Sequence, residues 1–466
     1  MKKSLRFRPL VAAAAVILFS FFASAAEPAS WPTWRGASGA GVASGAQPPT
    51  TWSETQNVRW KAKVPGYGFS TPIMWQDRIY LLTAIETDQM GAVVPEAEPA
   101  PSGPPPGGDR KGKGGKGGKG GGGPGGPGGG QRPTKFHEFA VVALNRATGA
   151  VVWQKTARRE VPHEGHHPTN SFASQSPVTD GERLYVSFGS RGLYCYDLAG
   201  NLVWEKSLGV MKSRNGFGEG ASPALAGPHL IVPWDHQEQS FIVALDKKTG
   251  AEVWRKNRDE VSTWTTPLIV EVEGKLQAVL TASKRSRSYD VATGELVWEA
   301  SGLTGNVIPT PVTGHGMVYV MSGFQGNSIQ AIKLTARGDI TDTDSIVWST
   351  RKSAPYVASP VLSGERLYMS KGTDAYLSCL NALTGEVYYQ DQPLEGLRGL
   401  YASPVAANGL LYIAGRNGTV IVVKDATKYE VVATNKLDDP IDASPVIVGR
   451  ELFLRGHEFL YCIAEK

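Results

Sequence analysis

Cysteine is scarce: only Cys195, Cys379 and Cys462 occur in 466 residues, and none is adjacent to another. That density excludes a disulfide scaffold, so the chain must be held by its core. Long apolar runs are scarce too. The first, Leu10 to Phe22, follows Lys2, Lys3, Arg6 and Arg8 and precedes Ala23-Ser24-Ala25. A basic start, a short apolar stretch and small residues at the end read as an export signal over residues 1–25, with a mature start near Ala26. No later stretch approaches ~18 uninterrupted apolar residues, so no transmembrane segment is expected in the mature chain. No cysteine precedes Cys195, which excludes a lipidated N-terminal cysteine. The expected location is periplasmic or secreted.

A basic body is also missing. The net charge is +5, but the four basic residues of the leader carry +4 and the Gly103–Lys135 segment carries +6, which leaves −5 for everything else. No nucleic-acid partner is expected for such a body. Apolar residues at 41% and aromatics at 9% supply enough surface for a large core.

Glycine is plentiful, and 17 of the 55 glycines fall between Gly103 and Gly130. Residues 87–135 are rich in Gly, Pro and Lys with almost no apolar content, and read as a disordered insertion. Elsewhere the chain is periodic. Ser or Thr precedes Pro at Pro72, Pro177, Pro223, Pro267, Pro311, Pro360, Pro404 and Pro445, at intervals of 105, 46, 44, 44, 49, 44 and 41. The insertion and the connection after it explain the first interval. A second mark recurs between these: Gly149 to Trp153, Gly200 to Trp204, Gly250 to Trp254, Gly294 to Trp298 and Gly385 to Tyr389, each a large residue four positions after a glycine.

Each unit holds three or four short β-prone runs separated by turn residues, such as Leu184-Tyr185-Val186 and Leu202-Val203-Trp204. One twisted four-stranded sheet cannot cover its own apolar faces, and radial stacking of such sheets does. The expected fold is all-β: an eight-bladed β-propeller of four-stranded antiparallel blades. The last unit ends at Cys462-Ile463-Ala464 without an outer strand, and Val58-Arg59-Trp60 is expected to supply it and close the ring. The expected layout is an N-terminal extension over 26–56 and a single propeller over 57–466, with the insertion in blade 1, as a monomer. The tryptophans are read as inter-blade packing.

The Ala244-Leu245-Asp246, Thr249-Gly250 and Trp254 pattern resembles the tryptophan motif of the pyrroloquinoline quinone (PQQ)-like repeat family, and the likeness covers about Val58 to Glu465. Trp31-Pro32-Thr33-Trp34-Arg35-Gly36 resembles the start of exported members without an assigned activity. The resemblance implies an eight-bladed propeller with each tryptophan between blades. It is neutral on function, because the repeat occurs both in quinone-dependent alcohol dehydrogenases and in a non-enzymatic propeller that assists outer-membrane protein assembly. Those dehydrogenases often carry a disulfide between adjacent cysteines at the cofactor, and this chain has no adjacent pair. The three cysteines occupy the repeat position held elsewhere by Ala143, Ala244 and Ala331, so three separate buried thiols are expected.

His163-Glu164-Gly165-His166-His167 matches a zinc-protease pattern in letters alone. That chemistry needs a helix, and Gly165 between Pro162 and Pro168 denies one. The segment reads as a solvated connection, with a loop metal site or a ligand-contacting loop as the alternatives and no metal assigned. Gly216-Phe217-Gly218-Glu219-Gly220 precedes a strand, which excludes a phosphate loop and suits a tight connection between blades. If the Ser/Thr-Pro strands line the channel, one mouth gathers His163, His166, His167, Arg214 and Asn215 with Arg191, Lys371, Arg416 and Arg455, joined by Trp264, Tyr356, Arg398 and Tyr401. That mouth is expected to be basic and to take an anionic small molecule such as a polycarboxylate. The expected function is a binding or scaffold module. Its alternatives are a PQQ-dependent dehydrogenase, with the quinone and calcium at the same mouth and Asp439 or Asp442 as the nearest acidic residues to consider, and an assembly factor whose rim loops grip an envelope protein.

Overall fold

Proline cannot donate a backbone hydrogen bond, whereas a neighbouring Ser or Thr offers a hydroxyl, and the eight Ser/Thr-Pro pairs form a ring from these parts. The Thr71 amide donates to Ser176 Oγ, Ser176 to Ser222 Oγ, and so on through Thr266, Thr310, Ser359, Ser403 and Ser444, whose amide returns to Thr71 Oγ1. All eight distances lie between 2.8 and 3.1 Å. At roughly 1 kcal/mol net apiece, these bonds tie every innermost strand to the next.

The ring belongs to an eight-bladed β-propeller, seen here in a computed structural model that describes residues 30–91 and 129–465. The expected export signal and most of the expected insertion fall outside the described residues. Strand β1 (Val58–Lys63) pairs antiparallel with Phe459–Ile463 and completes the eighth blade, with Trp60 opposite Cys462. Blade 1 contains β2 (Ile73–Trp75), β3 (Arg78–Met90), β4 (Lys135–Asn145) and β5 (Val151–Glu160). β3 runs to Met90 and β4 starts at Lys135, so the hairpin reaches into both ends of the segment read as insertion. One sheet departs from the four-stranded pattern. In blade 5 the connection before Ile346–Thr350 sends Gly338–Asp339 back to pair in parallel with Trp298 and Glu299 of blade 4.

The tryptophan motif explains itself atom by atom. Asp246 Oδ1 accepts from the amides of Lys248 and Thr249 and from Thr249 Oγ1, which fixes the turn. The glycine of each turn then lies under the tryptophan of the preceding blade: a Cβ on Gly294, which also has φ +73°, would sit 2.7 Å from the Trp254 ring. Trp254 Nε1 meanwhile donates to Val291 O across the blade gap at 2.9 Å. The residue opposite the large one is small, as in Ala244 against Trp254, Cys195 against Trp204 and Cys379 against Tyr389. Blade 7 shows the compensation, with Ala433 in the large position and Val422 opposite. The three thiols are free and buried, and burial pushes each up to about 12.

The N-terminal segment fills one end of the channel. Trp31 pairs with Met74, and Arg35 is buried with its guanidinium donating to the carbonyls of Pro404 (2.9 Å), Pro360 (2.6 Å) and Ala40 (3.2 Å). Burial pushes Arg35 down to about 9, which still leaves it protonated at neutral pH. Among the described residues, no helix is long and apolar enough to cross a membrane.

Candidate functional site

The open end of the channel is a cavity of about 430 Å³, within the range of small-molecule sites. It is built in tiers on the repeat. The lowest is the hydroxyl ring, of which Thr71, Ser176, Ser222, Thr266, Ser403 and Ser444 face the cavity. Above it, every residue three positions before a repeat proline lines the wall: Phe69, Ser174, Gly220, Trp264, Ile308, Val357, Tyr401 and Asp442. Phe217, Phe324, Tyr356 and His167 add to the lining, with Phe324 stacked on Tyr356 at 4.9 Å between centroids. Trp34 forms the floor. Its side chain lines both this cavity and a smaller one of about 130 Å³ on the plugged side, and its Nε1 donates to Ser444 Oγ at 3.3 Å.

The cavity carries little free charge. No Lys or Arg lines it among the described residues, and its single carboxylate is engaged. Asp442 accepts from Arg416 Nε and Nη2, each at 2.9 Å, and from His457 Nε2 at 2.8 Å. Arg416 in turn lies over the Tyr401 ring, 4.2 Å from its centroid. Burial, then the neighbouring Arg416 cation, holds His167 below the usual histidine range, so its imidazole is neutral at pH 7.

The structure distributes the residues singled out from the sequence over three settings. His167 lines the cavity, and Arg416 stands behind its wall through Asp442 and Tyr401. Arg191 and Arg455 are buried instead. Arg191 pairs with Glu219 at 3.1 Å and packs against the rings of Phe139 and Phe172, and Arg455 donates to Ser70 O at 2.7 Å. Burial pushes Arg455 down to about 9. Lys371 is exposed and bridges to Asp391 at 3.1 Å. Glu219 and Asp391 thus neutralise Arg191 and Lys371, while Arg455 meets only a backbone carbonyl.

The remaining residues fix loops. His163 Nε2 donates to Met211 O and His166 Nδ1 to His167 O, both at 2.8 Å, while the Arg214 amide donates to Ser262 Oγ at 2.9 Å. Asn215 accepts from the Gly129 amide through its carbonyl. The 163–167 segment is not helical, and Gly218 packs against His166, as a tight connection requires. His163, Glu164 and Glu219 bring donor atoms within 4.8 Å of one another. Glu219 is largely engaged, accepting from Ser190 N, Ser190 Oγ and Arg191, whereas Glu164 accepts only from Ser213 N at 3.3 Å. A cation there would share Glu219 with Arg191.

Sequence reasoning passed over Trp34, Phe69, Phe217, Phe324 and His457. A signal existed for Phe69, because the third position before each proline could have been read as one ring. Trp34 stands in the Trp31–Gly36 start noted above, but nothing there points to the cavity, because it enters from outside the repeats.

PQQ bears three carboxylates and, in the dehydrogenases, partners calcium. Aromatic walls suit its plane, but the lining supplies no cation for its carboxylates, and the one acidic group is held by Arg416 and His457. The lining does not fit that cofactor.

Among curated proteins, the chain is 28% identical to an outer membrane protein assembly factor BamB of Francisella salina over 131 residues, 26% of this chain and 23% of that protein. It is 22% identical to a tetrathionate hydrolase of Acidithiobacillus ferrooxidans over 291 residues, 59% of this chain and 53% of that one. It thus spans well under two thirds of either. BamB from Moraxella catarrhalis superposes with a TM-score of 0.52 at 15% identity, covering 70% of this chain and 93% of that one. The quinohemoprotein alcohol dehydrogenase from Comamonas testosteroni gives 0.56 at 9% identity, covering 95% and 82%. At such identities the two structures speak for the fold alone. A family model described as outer membrane protein assembly factor BamB matches residues 137–391, more than half of the chain. On that match, and with the propeller it predicts, the chain belongs to the BamB-like family of PQQ-like β-propellers.

Proposed function

We propose that the protein is an exported binding module of the cell envelope whose ligand site is the cavity at the channel mouth. The supporting observation is a contrast within the repeat. At the position before each proline, all eight units carry Ser or Thr, because the hydrogen-bonded ring requires a hydroxyl there. Two positions earlier, the same eight segments carry Phe, Ser, Gly, Trp, Ile, Val, Tyr and Asp, and all eight residues line the cavity. The fold does not dictate these residues, so a ligand is the remaining source of their arrangement. His167 and Arg416 are the residues of the sequence reading that we assign to this site. Arg191 and Arg455 support the rim loops.

Titrating the full chain with PQQ and calcium, while following dye-linked alcohol oxidation, separates module from enzyme. A module gives no turnover above a protein-free control. Turnover that saturates with PQQ would overturn the reading. Retention of a folded envelope protein on the immobilised chain, undiminished when the cavity is filled, would favour an assembly factor gripping through its rim.

A further inference from the structure

The tiers of the cavity also carry information about what fits it, on the premise that it is a ligand site. Its floor is closed. Trp34 is held from below by a segment whose Arg35 is buried against three backbone carbonyls, so nothing threads through and the occupant must be compact. Its walls are rich in rings: Phe69 and Trp264 from the repeat, Phe217, Phe324 and Tyr356 around the rim. Its polar groups are hydroxyls, the His167 imidazole, the Asn170 amide and one carboxylate already paired to Arg416 and His457. An anion entering here would lose water and meet no Lys or Arg in the lining itself; the nearby Arg416 is paired with Asp442, and Arg214 stands outside the lining beside Tyr356. A flat ring loses little and gains stacking on several aromatic faces.

We infer that the cavity takes a planar aromatic molecule without net negative charge, seated on Trp34. Trp34 is then a specificity-determining residue supplied by the N-terminal segment and not by any blade. This differs from the anionic ligand that the basic residues suggest in sequence, and it makes no use of a quinone or a metal.

Calorimetry on the full chain tests it with two probes: indole-3-carboxamide, flat and neutral, and trimesate, a flat aromatic tricarboxylate. The neutral probe should bind saturably at one site, and trimesate at least about tenfold more weakly, since its charges find no partners. Trp34→Ala should weaken the neutral probe by about tenfold or more, and Trp34→Phe should restore most of it. If Trp34→Ala does not fold, Phe324→Ala at the rim should show the same selective loss. Tighter binding of trimesate would overturn the ligand class while leaving a binding module in place. An unchanged affinity in folded Trp34→Ala would overturn the role of the floor. Binding of neither probe would count against both this inference and the module itself.

Discussion

Trp254 touches every constraint that shapes a blade: its ring covers Gly294, its Nε1 bonds to Val291 O, and it stands opposite Ala244. Replacing it with alanine removes a large buried side chain and leaves a gap that neither blade can close. Trp254→Ala should therefore cost about 3 to 5 kcal/mol in chemical denaturation. A cost below about 1 kcal/mol would mean that the blades do not depend on this contact. The histidines near the mouth give a second test. Burial, above all else, holds His137, His166 and His167 below the usual range, so the folded protein binds fewer protons than the unfolded chain once pH falls below about 6.5. Their contribution is present above that pH and is lost on acidification. The melting temperature should fall between pH 7.5 and 5, and the fall should shrink in His166→Gln. An unchanged profile in the variant would remove His166 from the account.

At the scale of elements, the strand outside the repeats matters as much as those within them. β1 covers the edge of the eighth blade and brings Trp60, whose Nε1 donates to Arg146 O at 3.0 Å across to blade 1. A chain starting at Gly66 loses this strand and leaves a bare sheet edge where the last blade meets the first. It should be destabilised more than Trp254→Ala, and it should aggregate on heating. A truncated protein that melts with the parent would refute closure by β1. This closure was legible in the sequence, because the last unit lacks an outer strand and Trp60 keeps the repeat spacing to Pro72. The parallel strand Gly338–Asp339 was not legible: a two-residue pairing has no periodic signature, and its partner belongs to another blade.

For the molecule as a whole, periodicity explains both what could be read and what could not. The eightfold ring, the small residues opposite the tryptophans and the free thiols follow from positions that repeat. The channel mouth follows from how the repeats face one another, and charge alone was a poor guide to it. Arg191, Lys371, Arg416 and Arg455 do occupy comparable places, but Glu219, Asp391 and Asp442 meet three of them and backbone holds the fourth. No local pattern announces those partners, because each comes from another strand or loop. The aromatic lining was missed for the opposite reason: its residues differ at a position where a repeat search looks for sameness.

The account stands on the claim that the mouth cavity is the ligand site, and occluding it is the most direct test. Thr373 lines the cavity, and Thr373→Trp would fill much of its opening without touching the hydroxyl ring. Thermal-shift screening of a small-molecule collection against parent and variant should give stabilising compounds for the parent and none of the same compounds for the filled protein, with equal melting temperatures in their absence. Compounds that stabilise both proteins equally would place the ligand elsewhere and contradict the account.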